Sequence, residues 1–163
     1  TESWYGHFSS FLAKKHYPDT KLDQLAKANL DEIIPYMYNL ETGEVIVIPW
    51  RVQNVALLIS LLVDVYESDP VNYKAYIDYA NNMAEDLLRR QTEDGAYRNN
   101  KTHYTSVIYI AKSMLELALC EKNINEEVYQ ERYKKHYDSA RRAVNDLEKL
   151  KERIEDDAII KNW

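Results

Sequence analysis

Three glycines and four prolines among 163 residues are too few for the many turns of an all-β chain, and they suit long helices. Cysteine is scarcer still. Cys120 stands alone, which excludes an internal disulfide, and its place inside an apolar helical run reads as a core position. Long apolar runs are missing too. The best, Val55 to Val63, has half the ~18 residues that a membrane span needs. Positive charge is not in excess: the net charge is −6, acids and bases alternate, and no basic stripe exists to neutralise phosphates, so nucleic acid is not an expected partner. There is no H-E-x-x-H, no paired cysteine, no glycine-rich phosphate loop and no G-x-S-x-G, so neither metal nor cofactor is expected. No signal peptide is seen. The chain begins at Thr1 without methionine, so the expectation is that a preceding segment was removed or left out.

What is present is a core. Apolar and aromatic residues make up 45%, enough for one folded domain over residues 1–163. Fourteen tyrosines combine an apolar body with a polar tip, which suits packing between helices and sugar clefts alike. The periodicity predicts six helices. The first covers Ser3 to Lys15 and stops at Pro18. The second carries Leu22, Leu25, Ala26, Leu30, Ile33 and Ile34, with Asp19 or Thr20 as its cap. A turn at Glu41-Thr42-Gly43 precedes a short extended stretch, Val45 to Pro49. The third helix, Arg51 to Tyr66, and the fifth, Ser106 to Cys120, are apolar on every side and should be buried all round. The fourth starts at Pro70. It and the sixth, Glu126 to Ile154, are amphipathic, the sixth through Tyr129, Tyr133, Tyr137, Ala140, Val144 and Leu147. Walled-in helices alternating with one-sided ones predict two layers.

An internal repeat supports the layering. Gly43 and Gly95 are 52 residues apart, and at that offset Glu41 meets Glu93 and Val55-Ala56-Leu57-Leu58 meets Val107-Ile108-Tyr109-Ile110. Glu155-Asp156-Asp157-Ala158 echoes Glu93-Asp94-Gly95-Ala96. Each unit reads as outer helix, acidic turn, loop and inner helix, a stacking hairpin. The chain is thus expected to be all-α, built of stacked αα-hairpins.

The segment Leu87-Leu88-Arg89-Arg90-Gln91-Thr92-Glu93-Asp94-Gly95-Ala96-Tyr97, followed by His103-Tyr104-Thr105-Ser106, resembles the hairpin connection of (α/α)6-toroid carbohydrate enzymes. These include the unsaturated glucuronyl hydrolases, related glycosidases and several polysaccharide lyases; terpene cyclases and prenyltransferases use similar toroids. Gln91, Asp94, Gly95 and Tyr97 match their Q-x-x-D-G-x-[WY] turn. The hairpin pattern extends from about Tyr36 onward. The resemblance implies a partial toroid of about three hairpins where six would close the ring, and a chain that is part of something larger. It further implies glycoside hydrolysis of oligosaccharides or polysaccharides and a periplasmic or extracellular bacterial setting.

In an open ring of hairpins, the loops leading into the inner helices line the mouth of the cavity. That places Trp50, Arg51 and Gln53 on one loop and Tyr97, Arg98, Asn99, Asn100, His103 and Tyr104 on the next. Trp50 offers a face for a sugar ring, and Arg51 a charge for a carboxylate; Gln53, Tyr97, Arg98 and Asn100 complete the substrate-binding set. Hydrolysis needs two carboxyl groups, and Glu93 and Asp94 are the catalytic candidates at the acidic turn, though such a pair before a glycine also serves to end a helix. A lyase would instead use His103 and Tyr104 to move protons, with an amide neighbour. A non-catalytic helical-repeat binding module is the third reading. His7, His16 and His136 have no partner at metal-ligand spacing. Self-association through an exposed hairpin edge is expected, because a stack of three leaves open ends.

Overall fold

The molecule, seen in a computed structural model, is described over the backbone of residues 2–46, 52–96 and 104–156 and over the side chains of 6–46, 53–96 and 107–149. Its elements are α1 (Glu2–His16), α2 (Leu22–Met37), β1 (Tyr38–Asn39), β2 (Glu44–Val45), α3 (Val52–Ser68), α4 (Ala75–Arg90), α5 (Tyr104–Lys122) and α6 (Glu127–Asp156). The described chain is therefore all-α apart from one two-residue ladder.

Direction follows from side-chain contacts. Ser60 meets Ser113 midway along α3 and α5, Glu67 and Cys120 near the C-terminal ends of the two line one cleft, and Lys15 reaches Glu67 at the C-terminal ends of α1 and α3. These three helices run parallel. Each packs on its predecessor and on the helix that follows it, so α1, α3 and α5 form one layer and α2, α4 and α6 the other. Ion pairs stitch α4 to α6 through Lys135 to Glu85 and Arg132 to Asp78, and Lys74 to Glu126 at 2.6 Å joins the residues just ahead of the two helices. Lys74 and Glu126 are 52 residues apart, so the sequence repeat becomes a lateral contact between neighbouring units.

The core lies between the layers. Leu58, Leu61 and Leu62 of α3, Ile77, Met83 and Leu87 of α4, and Ile110 and Met114 of α5 are fully buried. Helices α4 and α6 keep wet faces, as their amphipathic patterns require. Four details depart from expectation. Ile108, Leu115 and Leu119 are exposed, so α5 is not buried all round: its neighbours cover two of its sides, and the third faces outward. On α6, Tyr137 and Val144 are exposed, while His136, Ser139, Ala140 and Ala143 face the core. Pro70 lies in the turn ahead of α4, where Asp69 accepts the backbone N–H groups of Asn72 and Tyr73. The extended stretch after Gly43 does find a partner: Tyr38 pairs with Val45 and Asn39 with Glu44.

The repeat's two glycines explain themselves. Gly43 and Gly95 have φ of +73° and +100°, and a Cβ on either would collide with backbone of the next outer helix, at Asn82 of α4 and at Arg142 of α6. Each turn is thus seated on its neighbour's helix. The Asn82 amide donates to the carbonyls of Leu40 and Glu41, and Arg142 donates to that of Thr92 at 3.0 Å.

Candidate functional site

Because α3 and α5 are parallel, the loops leading into them attach at one end of the stack. Gln53 is half-buried in the first turn of α3, and Tyr104 opens α5. Trp50, Arg51, Tyr97, Arg98, Asn99, Asn100 and His103 lie outside the described residues, as does the side chain of Tyr104. Glu93 and Asp94 are exposed in the turn after α4. The Asp94 carboxylate accepts the Thr92 hydroxyl, which holds its carboxyl below the usual range. Gln91, the first residue of the matched turn, fastens the turn to α6. Its amide donates to the Ser139 carbonyl at 2.9 Å and to the Gly95 carbonyl, and accepts from the Ser139 hydroxyl at 2.7 Å. Gln91 and Gly95 therefore have structural work that accounts for them.

The most chemically distinctive place lies elsewhere. A cleft of about 210 Å³ opens on the face shared by α1, α3 and α5, lined by Lys15, Ser60, Asp64, Glu67, Glu116 and Asn123 among others. It is some three helical turns from Gln53, about 16 Å at ~1.5 Å per residue. Cys120 also lines it, but burial pushes its thiol up to about 12, so it is no nucleophile at neutral pH.

Two carboxyls in this cleft have opposite surroundings. Glu116 accepts at both oxygens: the Ser60 hydroxyl donates to Oε2 at 2.5 Å, and Lys112 donates to Oε1 at 2.6 Å. Both contacts suit a carboxylate, which accepts on either oxygen. The proton chain agrees. Ser113 can donate to Ser60, 2.9 Å away, or to the Tyr109 carbonyl at 2.8 Å, leaving the Ser60 proton for Glu116. Asp64 has no hydrogen-bond partner among the described residues. Burial pushes its carboxyl up to about 6, and the negative charges of Glu116 and Glu67 add to the rise against the opposing Lys15 and Lys112. One acid sits where burial favours its protonated form, while both oxygens of its neighbour accept hydrogen bonds.

Sequence reasoning passed over both residues, yet a signal existed. Asp64 and Glu116 are 52 residues apart, so one repeat position places an acid within the apolar stretch of each of two largely apolar helices. Reading those helices as pure core concealed it.

A buried pair was also missed. His136, expected to be isolated, sits in the α5–α6 hairpin with its Nδ1 2.7 Å from Glu121 Oε2, and both side chains are wholly buried. Burial raises the Glu121 carboxyl, and His136 opposes that rise. Glu121 Oε1 and His136 Nε2 have no partner among the described residues. No group of three or more His, Cys, Asp or Glu there is placed to hold a metal.

No family model matches the chain, and neither do any curated protein or any solved structure.

Proposed function

We propose that this chain is part of an (α/α) toroid that binds and hydrolyses oligosaccharides on the face of its inner helices, with Asp64 as proton donor and Glu116 as its anionic counterpart. The observation that carries the reading is the unequal pair: two repeat-equivalent carboxyls in one cleft, one without a hydrogen bond among the described residues and the other accepting on both oxygens. Glycoside hydrolysis asks for this division, an acid to protonate the leaving oxygen and a carboxylate to activate water or attack carbon. Lys15 and Asn123 add donors for sugar hydroxyls. At about 210 Å³ the cleft is smaller than the ~300–1,000 Å³ of sites for drug-sized ligands, so it receives one ring at the end of a chain. The remaining rings extend towards the loops carrying Trp50, Arg51 and Tyr97.

A panel of neutral and uronate-containing oligosaccharides, with release of reducing ends measured, tests this. Turnover is expected to decline as pH rises past about 6, where Asp64 loses its proton. Asp64→Asn and Glu116→Gln should each lower it by roughly 10²–10⁴-fold, the usual worth of acid–base assistance. Turnover indifferent to both substitutions would overturn the reading. So would amide resonances of Ser60 and Asn123 that no sugar of either class shifts.

A further inference from the structure

Both lateral edges of the stack expose apolar side chains, some of them at repeat positions that its interior buries. On α5, Ile108, Leu115 and Leu119 are 50%, 39% and 47% exposed. Ile108 and Leu115 form one stripe at helical spacing, turned away from Ser113, which faces α3; Leu119 continues it and also borders the inner-face cleft. One repeat earlier, the counterparts of Ile108 and Leu115 are Ala56 and Val63, at 0% and 4%. Tyr137 and Val144 continue the exposed surface onto α6, on the side away from Arg132 and Lys135, which reach α4. The opposite edge matches. Leu25 and Tyr36 of α2 are 67% and 75% exposed, on the side away from Lys27 and Asp31, which meet Tyr76 of α4.

We propose that the α5–α6 edge of one copy docks on the α1–α2 edge of a second copy, with inner helices parallel as α3 and α5 are within the chain. The molecule already builds this interface twice, between α1–α2 and α3–α4 and between α3–α4 and α5–α6. A second copy brings the next such edge in the same sense, with its own apolar stripe. Contact between like edges reproduces none of this. A two-fold axis either reverses the inner helices or sets inner against outer, so the matching contact is head-to-tail.

Sedimentation velocity at micromolar concentrations reads the result. The wild-type chain should associate. Leu115→Glu and Leu25→Glu should each be monomeric alone, because each spoils one edge. Mixed, they should form a 1:1 dimer and nothing larger, because one intact edge remains on each partner. Both positions are exposed, so circular dichroism should report an unchanged fold; should either glutamate variant unfold, serine at the same positions supplies the comparison. A wild-type chain that stays monomeric, a Leu25→Glu variant that associates by itself, or a mixture that stays monomeric would each overturn the proposal.

Discussion

Asp64 binds its proton more tightly in the fold than in the unfolded chain, and that difference has a sign. A carboxyl whose value rises from 3.8 to about 6 on folding stabilises the fold fully below pH ~4 and loses that contribution as pH climbs through 6, because the native state binds the extra proton. Denaturant unfolding across this range should show wild-type stability falling relative to Asp64→Asn, in which the slope disappears; parallel profiles for the two proteins would contradict it. Ser60 offers a second measurement. Its hydroxyl donates to the charged Glu116, and a hydrogen bond to a charged group is worth about 1.5–3 kcal/mol. Ser60→Ala should destabilise the wild type by about that much and by clearly less in a Glu116→Gln background, and a double-mutant cycle reads the coupling. Neither residue was picked out from the sequence. A lone serine or acid in an apolar run is an interruption until the neighbouring helix is in place, and Ser60 lies one repeat before Ser113 and Glu116.

Helices were legible because burial follows periodicity. Leu58, Leu61, Val107 and Met114 are buried as their patterns require. Faces were less legible. The sequence of α5 says that it is apolar, but which sides are covered depends on which neighbours exist, and Ile108, Leu115 and Leu119 have none. On α6 the expected stripe holds at Tyr129 and Ala140 and fails at Tyr137 and Val144, whose place in the core is taken by His136, Ser139 and Ala143. The acidic turn shows the reverse case: its glycines were found through the repeat, and the structure supplies the cause. Gly95→Ala must hold a side chain at φ +100° while pressing on the α6 backbone at Arg142. Strain of this kind costs about 1–3 kcal/mol before any displacement, and the loss should exceed that range if α6 must shift. Gly43→Ala should behave alike through α4, whereas Gly6→Ala, with open space around it, should not. Equal thermal midpoints for all three variants would remove the seating argument.

A stack of hairpins is cooperative only through its neighbours, so stability should vary along it. α3 lies between α1 and α5 and against α4, and nearly every residue from Val55 to Val65 is buried. α1 is an edge helix. Phe11 is its one buried apolar side chain among the described residues, Leu12 is exposed, and its ion pair Lys15–Glu67 is exposed at both ends, a kind worth little. Native-state hydrogen exchange under increasing denaturant should therefore show amides of α1 opening at a lower free energy than those of α3, which should exchange only with global unfolding. Phe11→Ala removes the main anchor, at a typical cost of about 3–5 kcal/mol for a buried aromatic. If α1 is a separate opening unit, that loss falls on α1: its protection collapses while α3 retains most of its own, because α4 and α5 still cover it. If the three hairpins instead unfold as one body, α1 and α3 share a single opening energy and Phe11→Ala lowers both equally. The choice also bears on the cleft. Lys15 reaches it from the last turn of α1, so an α1 that opens alone exposes Asp64 to water on one side, and its carboxyl then titrates closer to 3.8 in the opened form than in the closed one.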